Sequence, residues 1–322
     1  MKFRRFLLAF STVLVLLALW VVFIEPRLID EVSLTVEIPH LPPEWDGETI
    51  AFISDLQLGM ILDNRSTVNR ILEKIIQSRP VAVLIGGDFI YHPTEEDDPP
   101  IEAMEEYEFE DRIETLEIIN DVSTILSPLT QSGIPVYAVL GNHDYAMEKS
   151  DALKLEWVAQ ELRNSLEAIG ITVLHNQSVA MPARGTPLQG RNQDLHLVGV
   201  GPYYPNEGNV EAAFRGIAPD IPRVVMLHNP ETFPKIPAEQ APFAISGHTH
   251  GGQIRIPWLE SWSWLSIVRK GEIHGDGWIN DFGQKGNRLY VNKGIGFSIL
   301  PVRLNCPPEL TWITLVPQVT ES

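Results

Sequence analysis

Hydrophobic positions divide the chain into one long uncharged run and a series of short ones. Residues 6–24 (FLLAFSTVLVLLALWVVFI) hold no charge over nineteen positions, which is long enough to cross a bilayer as a helix. From residue 34 onward the apolar runs shorten. LTVEI (34–38) alternates and predicts a first strand, and TIAFIS (49–54) predicts a buried one. Between residues 67 and 78 the apolar positions are Val68, Ile71, Leu72, Ile75 and Ile76, the spacing of one helix face. VAVLI (81–85) predicts the next strand. Strand, helix and strand in that order imply a βαβ unit with a parallel pair.

Further along, Ile113, Leu116, Ile119 and Val122 form one stripe of a helix over 112–129. A strand is predicted at 136–140 and a helix at about 152–169. The texture then changes to short strands at 172–174, 195–199, 224–227, 243–246, 289–292 and 310–315. A helix-rich first half and a strand-rich second half predict two sheets packed together with helices outside. Three parts are expected: an anchor at 1–25, a lead-in strand and Pro-rich turn (HLPPEWDG) at 26–46, and one domain at 47–318.

The N-terminal run follows Lys2, Arg4 and Arg5 and ends at Glu25, Pro26 and Arg27, without the small-x-small pattern of a cleaved signal. An uncleaved single-pass anchor is therefore expected, with a cleaved signal or a twin-arginine signal (Arg4-Arg5) as the variants. Basic residues stay on the cytoplasmic side, which places the domain outside the cytoplasm. Among 322 residues the net charge is −18, and no basic stripe is present, so nucleic acid is excluded as a partner. The acidic stretch 92–111 (HPTEEDDPPIEAMEEYEFED) carries much of that charge and reads as a solvated insertion; its spacing is not that of an EF-hand. Cys306 is the single cysteine, so no intrachain disulfide forms.

Chemistry-bearing residues gather where apolar strands end. These are Asp55 and Gln57, Asp88, Asn142 and His143, His228, and His248 and His250 in GHTHGGQ. Glycines flank the His-x-His pair and let the backbone turn tightly there. Ligand sites in α/β sheets collect at the carboxyl ends of strands. Two Asp, one Gln, one Asn and four His at five strand ends point to a metal-assisted site rather than to core packing.

The ordered set D-x-Q, G-D, G-N-H-D, H and G-H-x-H resembles the calcineurin-like metallophosphoesterases over about residues 47–316. With the apolar N-terminus, PHLPPEWDG and VNKGIGFSILPVRLNCPPEL, it looks like their bacterial membrane-anchored branch. Some members of that broader group are UDP-2,3-diacylglucosamine diphosphatases. The resemblance implies a four-layer αββα sandwich and two divalent metals. By motif, Asp55, Gln57 and His250 hold the first metal, Asn142, His228 and His248 hold the second, and Asp88 bridges them. Two such metals clamp a phosphoryl group for in-line attack. His143 is expected as general acid, or as a stabiliser of transition-state charge, with Asp144 available to orient its ring.

Gln57 stands where most of the family has histidine. An amide oxygen is a harder ligand than imidazole, so the first site should hold soft metals less tightly and favour Mn or Mg more; Mn is the expected metal, with Fe, Zn or Mg as the alternatives. A glutamine at this position also resembles the Mn-dependent ADP-ribose and CDP-alcohol diphosphatases, and so points to a diphosphate; the competing reading is a tolerated substitution. Residues 254–268 (IRIPWLESWSWLSIV) place Trp258, Trp262 and Trp264 ahead of Arg269 and Lys270. That suits either a membrane interface beside the metals or an ordinary packed helix. The expected activity is hydrolysis of a phosphoester or diphosphate of a lipid- or nucleotide-linked substrate. The rival is a non-catalytic membrane protein that binds lipid or a partner on the same fold, and a retained His143 argues for the enzyme. A UDP-linked lipid A precursor is cytoplasmic, so that substrate and an extracytoplasmic domain exclude one another.

Overall fold

Residues 2–62, 64–91, 104–185, 194–259, 262–264, 267, 275–279 and 282–319 are described by the computed structural model, with 104–111 as backbone only. The uncharged run is helical throughout: α1 (Lys2–Leu19) continues as one wider turn, Trp20–Ile24, and a tight turn, Glu25–Arg27. Leu, Val, Phe and Ala sustain it, and Pro26 ends it by removing a donor. No residue of α1 is buried. The stretch Lys2–Arg27 is long and apolar enough to cross a membrane.

The chain then forms β1 (Asp30–Ile38), β2 (Thr49–Ile53), α2 (Arg65–Ser78), β3 (Ala82–Ile85), α3 (Met104–Gln131) and β4 (Val136–Ala138). Next come α4 (Glu156–Ala168), β5 (Thr172–Val173), β6 (Gln177–Met181), β7 (Leu195–Gly199) and α5 (Val210–Ala213). The last strands are β8 (Arg223–Met226), β9 (Ala244–Ser246), β10 (Gly277–Ile279), β11 (Leu289–Val291) and β12 (Glu309–Pro317). They build two six-stranded sheets, ordered β1-β12-β2-β3-β4-β5 and β10-β11-β9-β8-β7-β6. β2 to β5 run parallel, as do β7, β8, β9 and β11.

Alternation along each strand decides the layering. In β2, Ile50 and Phe52 face the second sheet, where together with Leu84 of β3 they meet Leu197, Met226 and Ile245. Ala51 and Ile53 face the other way, onto Val68, Ile71 and Ile75 of α2 and Val122 and Leu126 of α3. Both faces are covered, which is why these parallel strands read as unbroken apolar runs. Val198, Val225 and Ala244 point out of the second sheet onto Phe233, Ile236 and Ala213, supplied by short turns and α5. The architecture is the expected αββα sandwich, with long helices on one outer face and short elements on the other.

Three departures from the sequence reading have local causes. The chain is helical from Met104 onward, inside the stretch read as an acidic loop; Glu and Met are good helix formers. Residues 92–103 of that stretch lie outside the described residues. β6 (QSVAM) and β10 (GWI) were not anticipated, because they are short edge strands with partly exposed side chains and weak alternation. Finally, the packed-helix reading of 254–268 fails over 254–259. Ile254 and Arg255 form bridges to Leu304 and Ser263, and Trp258 points into solvent, 97% exposed. Leu265, Val268, Arg269 and Lys270 of that stretch lie outside the described residues.

Candidate metal centre

Five of the parallel strands, β2, β3, β4, β8 and β9, end at one edge of the sandwich, and each passes directly into a loop that carries the predicted residues. β2 runs into Asp55 and Gln57, β3 into Asp88, β4 into Asn142 and His143, β8 into His228, and β9 into His248 and His250. All eight are buried, at most 3% exposed. Five of them hold left-handed backbone: Asp55 (φ 53), Gln57 (49), Asp88 (54), His248 (74) and His250 (49). That conformation is costly for side-chain-bearing residues and persists only where surrounding bonds impose it. Here they do. Asp55 N donates to Gly87 O (2.9 Å), Gln57 N to Asp88 O (3.0 Å), and His248 N to Asp55 Oδ1 (3.0 Å). Gly141 lets the third loop close on the second, since a Cβ there would lie 2.1 Å from Asp88 Oδ1.

Two ligand groups result. Donor atoms of Asp55, Asp88 and His250 lie within 4.8 Å of one another, and so do those of Asp88, His228 and His248. Asp88 belongs to both. His228 Nε2 is 3.1 Å from Asp88 Oδ2, and His250 Nε2 is 3.6 Å from Asp55 Oδ1. His228 Nδ1 donates to Gly86 O (2.8 Å), which fixes the ring with Nε2 facing the centre. Asn142 Nδ2 donates to Met147 O (2.6 Å), and its Oδ1 accepts from Asn229 Nδ2 at 3.2 Å.

Gln57 shows that these residues fit a cation. Its Nε2 donates to Asp88 Oδ2 (3.0 Å), while its Oε1 is buried without a hydrogen-bond donor. A buried carbonyl oxygen left without a donor is costly, and a cation removes that cost. Charge tells the same story. Burial pushes the Asp55 carboxyl up to about 6, with His228 opposing and the Asp88 charge adding to the rise. Burial also works against Asp88, but His228 and His143 beside it hold its carboxyl well below the usual range. Burial disfavours the His228 cation, yet the Asp88 charge and hydrogen bond lift it to about 9. Two buried carboxylates are packed together, an arrangement suited to divalent metal.

Asp144 does not orient the His143 ring. Its Oδ2 accepts from Gly141 N (2.7 Å) and Asp88 N (3.0 Å), and its Oδ1 from Phe89 N (2.8 Å) and Ile90 N (3.4 Å). A carboxylate with both oxygens occupied by backbone donors is a staple between two ligand loops. The His143 ring instead stacks on Tyr91, with centroids 5.4 Å apart.

Tyr204 was missed. Its hydroxyl is 3.2 Å from His248 Nε2 and its ring packs edge-on against the same imidazole. It follows the end of β7, so the strand-end rule applied to Gly201-Pro202-Tyr203-Tyr204 would have found it. A hydrogen bond behind a ligand's ring orients that ligand. Tyr204→Phe is expected to weaken Mn binding by roughly tenfold while leaving kcat at saturating Mn nearly unchanged. Titration of turnover against Mn reads both, and an unshifted Mn dependence would show that the hydroxyl does not set the ring.

Two mixed sheets, whose parallel strands end at paired carboxylate–histidine groups, carry the buried donor set of a metal-dependent enzyme. The chain belongs to the Calcineurin-like phosphoesterase family, whose profile matches residues 48–252. It is 28% identical to Phosphodiesterase YaeI of Escherichia coli over 269 residues, covering 83% of this chain and 82% of that one. It is 24% identical to UDP-2,3-diacylglucosamine pyrophosphatase LpxG of Chlamydia trachomatis over 341 residues, covering 92% of each. The metallophosphoesterase YkuE of Bacillus subtilis is 24% identical over 298 residues, 91% of this chain and 87% of its own length.

Proposed function

We propose that this chain is a membrane-anchored two-metal enzyme that hydrolyses a phosphodiester or diphosphate carried by a lipid. The observation that carries the reading is the pair of buried ligand groups that share Asp88. Asp55, Gln57 and His250 would hold one metal, Asn142, His228 and His248 the other, and Asp88 would serve both. When bound, such metals would polarise the phosphoryl group and lower the pKa of water, so that hydroxide is available as nucleophile at neutral pH.

The chain's own residues supply the rest. His143 follows the ligand Asn142 directly, and its backbone N–H donates to Asp88 Oδ1 at 2.9 Å. That bond and the Tyr91 stack hold the imidazole beside the centre, where it protonates the departing oxygen. Gln57 offers an amide oxygen in place of imidazole, which selects Mn or Mg over Zn or Fe. The ligand residues are buried, so each charge on the phosphoryl group would be felt more strongly than in water.

The lipid assignment draws on the relative named as a UDP-2,3-diacylglucosamine pyrophosphatase and on the N-terminal helix. Lys2, Arg4 and Arg5 put the start of that helix in the cytoplasm and the domain outside it. Such a location favours a lipid-linked phosphate other than a cytoplasmic UDP-linked precursor.

The test strips the purified full chain of metal and restores Mn, Mg, Zn or Fe. Turnover is then measured on bis-p-nitrophenyl phosphate and on a UDP-diacylglucosamine-type diphosphate. Metal-dependent hydrolysis is expected, strongest with Mn. His143→Ala should cut kcat about a hundredfold with bound metal unchanged. Absence of metal-dependent turnover on both substrates would overturn the reading.

A further inference from the structure

The N-terminal helix is built into the domain where it ends. Glu25 is 4% exposed; its Oε1 accepts from Cys306 N (2.6 Å) and its Oε2 from Trp20 Nε1 (2.7 Å). Arg303 N donates to Val21 O at 3.0 Å. Thr67 Oγ1 donates to Pro26 O (3.1 Å) and Arg70 Nη1 to Arg27 O (2.8 Å), so the start of α2 grips the last turn. A flexible tether would let the domain tumble under its anchor; this joint holds it in one orientation. Removing residues 20–27 would also strip partners from the buried backbone around Cys306, which fits a retained anchor rather than a cleaved signal.

The elements that grip the helix are continuations of the metal loops. α2 begins eight residues after Gln57. The loop bearing Arg303 and Cys306 passes Gly294 and Gly296, which pack on Asp55 and Gln57. Cys306 Sγ donates to His250 O at 3.3 Å. The chain leaving His250 runs beside that same loop, with Gln253 Nε2 on Leu300 O (2.7 Å) and Arg255 N on Leu304 O (2.9 Å). The strand ends carrying the metal ligands and the exit of the helix therefore share one end of the sandwich.

That end is apolar in an unusual way. Ile61 is 95% exposed and Trp258 97%, and Ile256, Leu259 and Leu300 are exposed as well. Ile61 lies on the turn between Gln57 and α2, Trp258 on the segment after His250, and Leu300 on the loop next to Val21. Each projects from a loop that begins at the metal centre. Large exposed apolar side chains beside a membrane-crossing helix suit the interfacial layer of a bilayer, where Trp is favoured.

We propose that Ile61, Trp258 and Leu300 form a membrane-docking rim at the metal-centre end of the sandwich, held face-down by the Glu25 joint. The centre then takes phosphate groups that stand at the lipid–water boundary. This rests on the reading of Lys2–Arg27 as an anchor, and it commits the exposed patch to lipid rather than to a second copy or a protein partner.

Depth of insertion tests it without using turnover. The full chain is reconstituted in phosphatidylethanolamine–phosphatidylglycerol vesicles with one spin label at Ile61→Cys, Trp258→Cys or, as control, Gln77→Cys near the far end of α2. Cys306 is buried and does not compete for label. Labels at 61 and 258 should be reached by oxygen and shielded from a polar nickel complex, while the label at 77 shows the reverse. Shielding from both reagents with spin–spin broadening would assign the rim to self-association, and aqueous behaviour at 61 and 258 would remove the rim; either overturns the proposal.

Turnover is the second readout. Ile61→Glu with Trp258→Glu should lower the ratio of vesicle-bound diphosphate hydrolysis to bis-p-nitrophenyl phosphate hydrolysis by roughly tenfold, the order expected when large apolar side chains lose their burial. An unchanged ratio overturns the rim. If neither substrate is hydrolysed with any metal, the enzymatic reading fails, while the labels still decide whether the rim meets lipid.

Discussion

Asp88→Asn is expected to abolish metal-dependent hydrolysis, lowering kcat/KM by roughly a thousandfold or more. That corresponds to about 4 kcal/mol or more of transition-state stabilisation. The reason is position. Asp88 is fully buried; Oδ1 accepts from His143 N (2.9 Å), and Oδ2 lies 3.0 Å from Gln57 Nε2 and 3.1 Å from His228 Nε2. It is the one residue common to both ligand groups, so losing its charge weakens two metal sites together. Asparagine has the same shape and keeps one oxygen for the His143 N–H, so the loops stay in place. Metal content and turnover, measured with excess Mn, should therefore fall together while the circular dichroism spectrum is retained. Two bound metals with turnover within tenfold of the parent would show that Asp88 does not bridge.

Arg303→Met is expected to cost the fold about 4 kcal/mol or more, read as a shift of the urea midpoint. Arg303 is 0% exposed, and its guanidinium donates only to the backbone and sulfur of its own loop. Nε and Nη2 reach Gly296 O (3.0 and 2.6 Å), Nη2 reaches Lys293 O (2.9 Å) and Gly294 O (3.1 Å), and Nη1 reaches Cys306 O (3.0 Å). Methionine fills similar volume but strands these carbonyls, and buried carbonyls without donors each cost about 1–3 kcal/mol. Burial lowers the Arg303 pKa, yet a guanidinium stays charged inside proteins. Lysine should not rescue the variant, because a point charge cannot span acceptors set out for a planar fork.

The same substitution should weaken metal binding, since Gly296 N donates to Asp55 O (2.6 Å) and a Cβ on Gly296 would lie 2.6 Å from Gln57 Cβ. A midpoint shift worth less than about 1 kcal/mol would show that water replaces the guanidinium without penalty.

Period and punctuation made much of this protein readable in one dimension. An apolar run that stops at Asp, Asn or His reports both a parallel strand and the residue delivered at its carboxyl end. For that reason Asp55, Gln57, Asp88, Asn142, His143, His228, His248 and His250 stand out in the sequence as one set of strand ends, and nineteen uncharged residues announce the N-terminal helix. These signals are local, carried by neighbours a few positions apart. Short edge strands such as β6 and β10 lack them, because a half-exposed strand of three to five residues imposes little pattern.

Which groups meet across the fold was decided only by packing. Asp144 looked like a partner for its neighbour His143, yet its oxygens are taken by backbone donors of two loops brought together by β3 and β4. Tyr204 reaches His248 because β7 and β9 flank β8 in one sheet. Glu25 meets Cys306, and Arg303 meets four carbonyls of its own loop. Backbone donors and acceptors are the same at every residue and leave no mark in the sequence, so only the folded chain shows where a buried side chain must satisfy them.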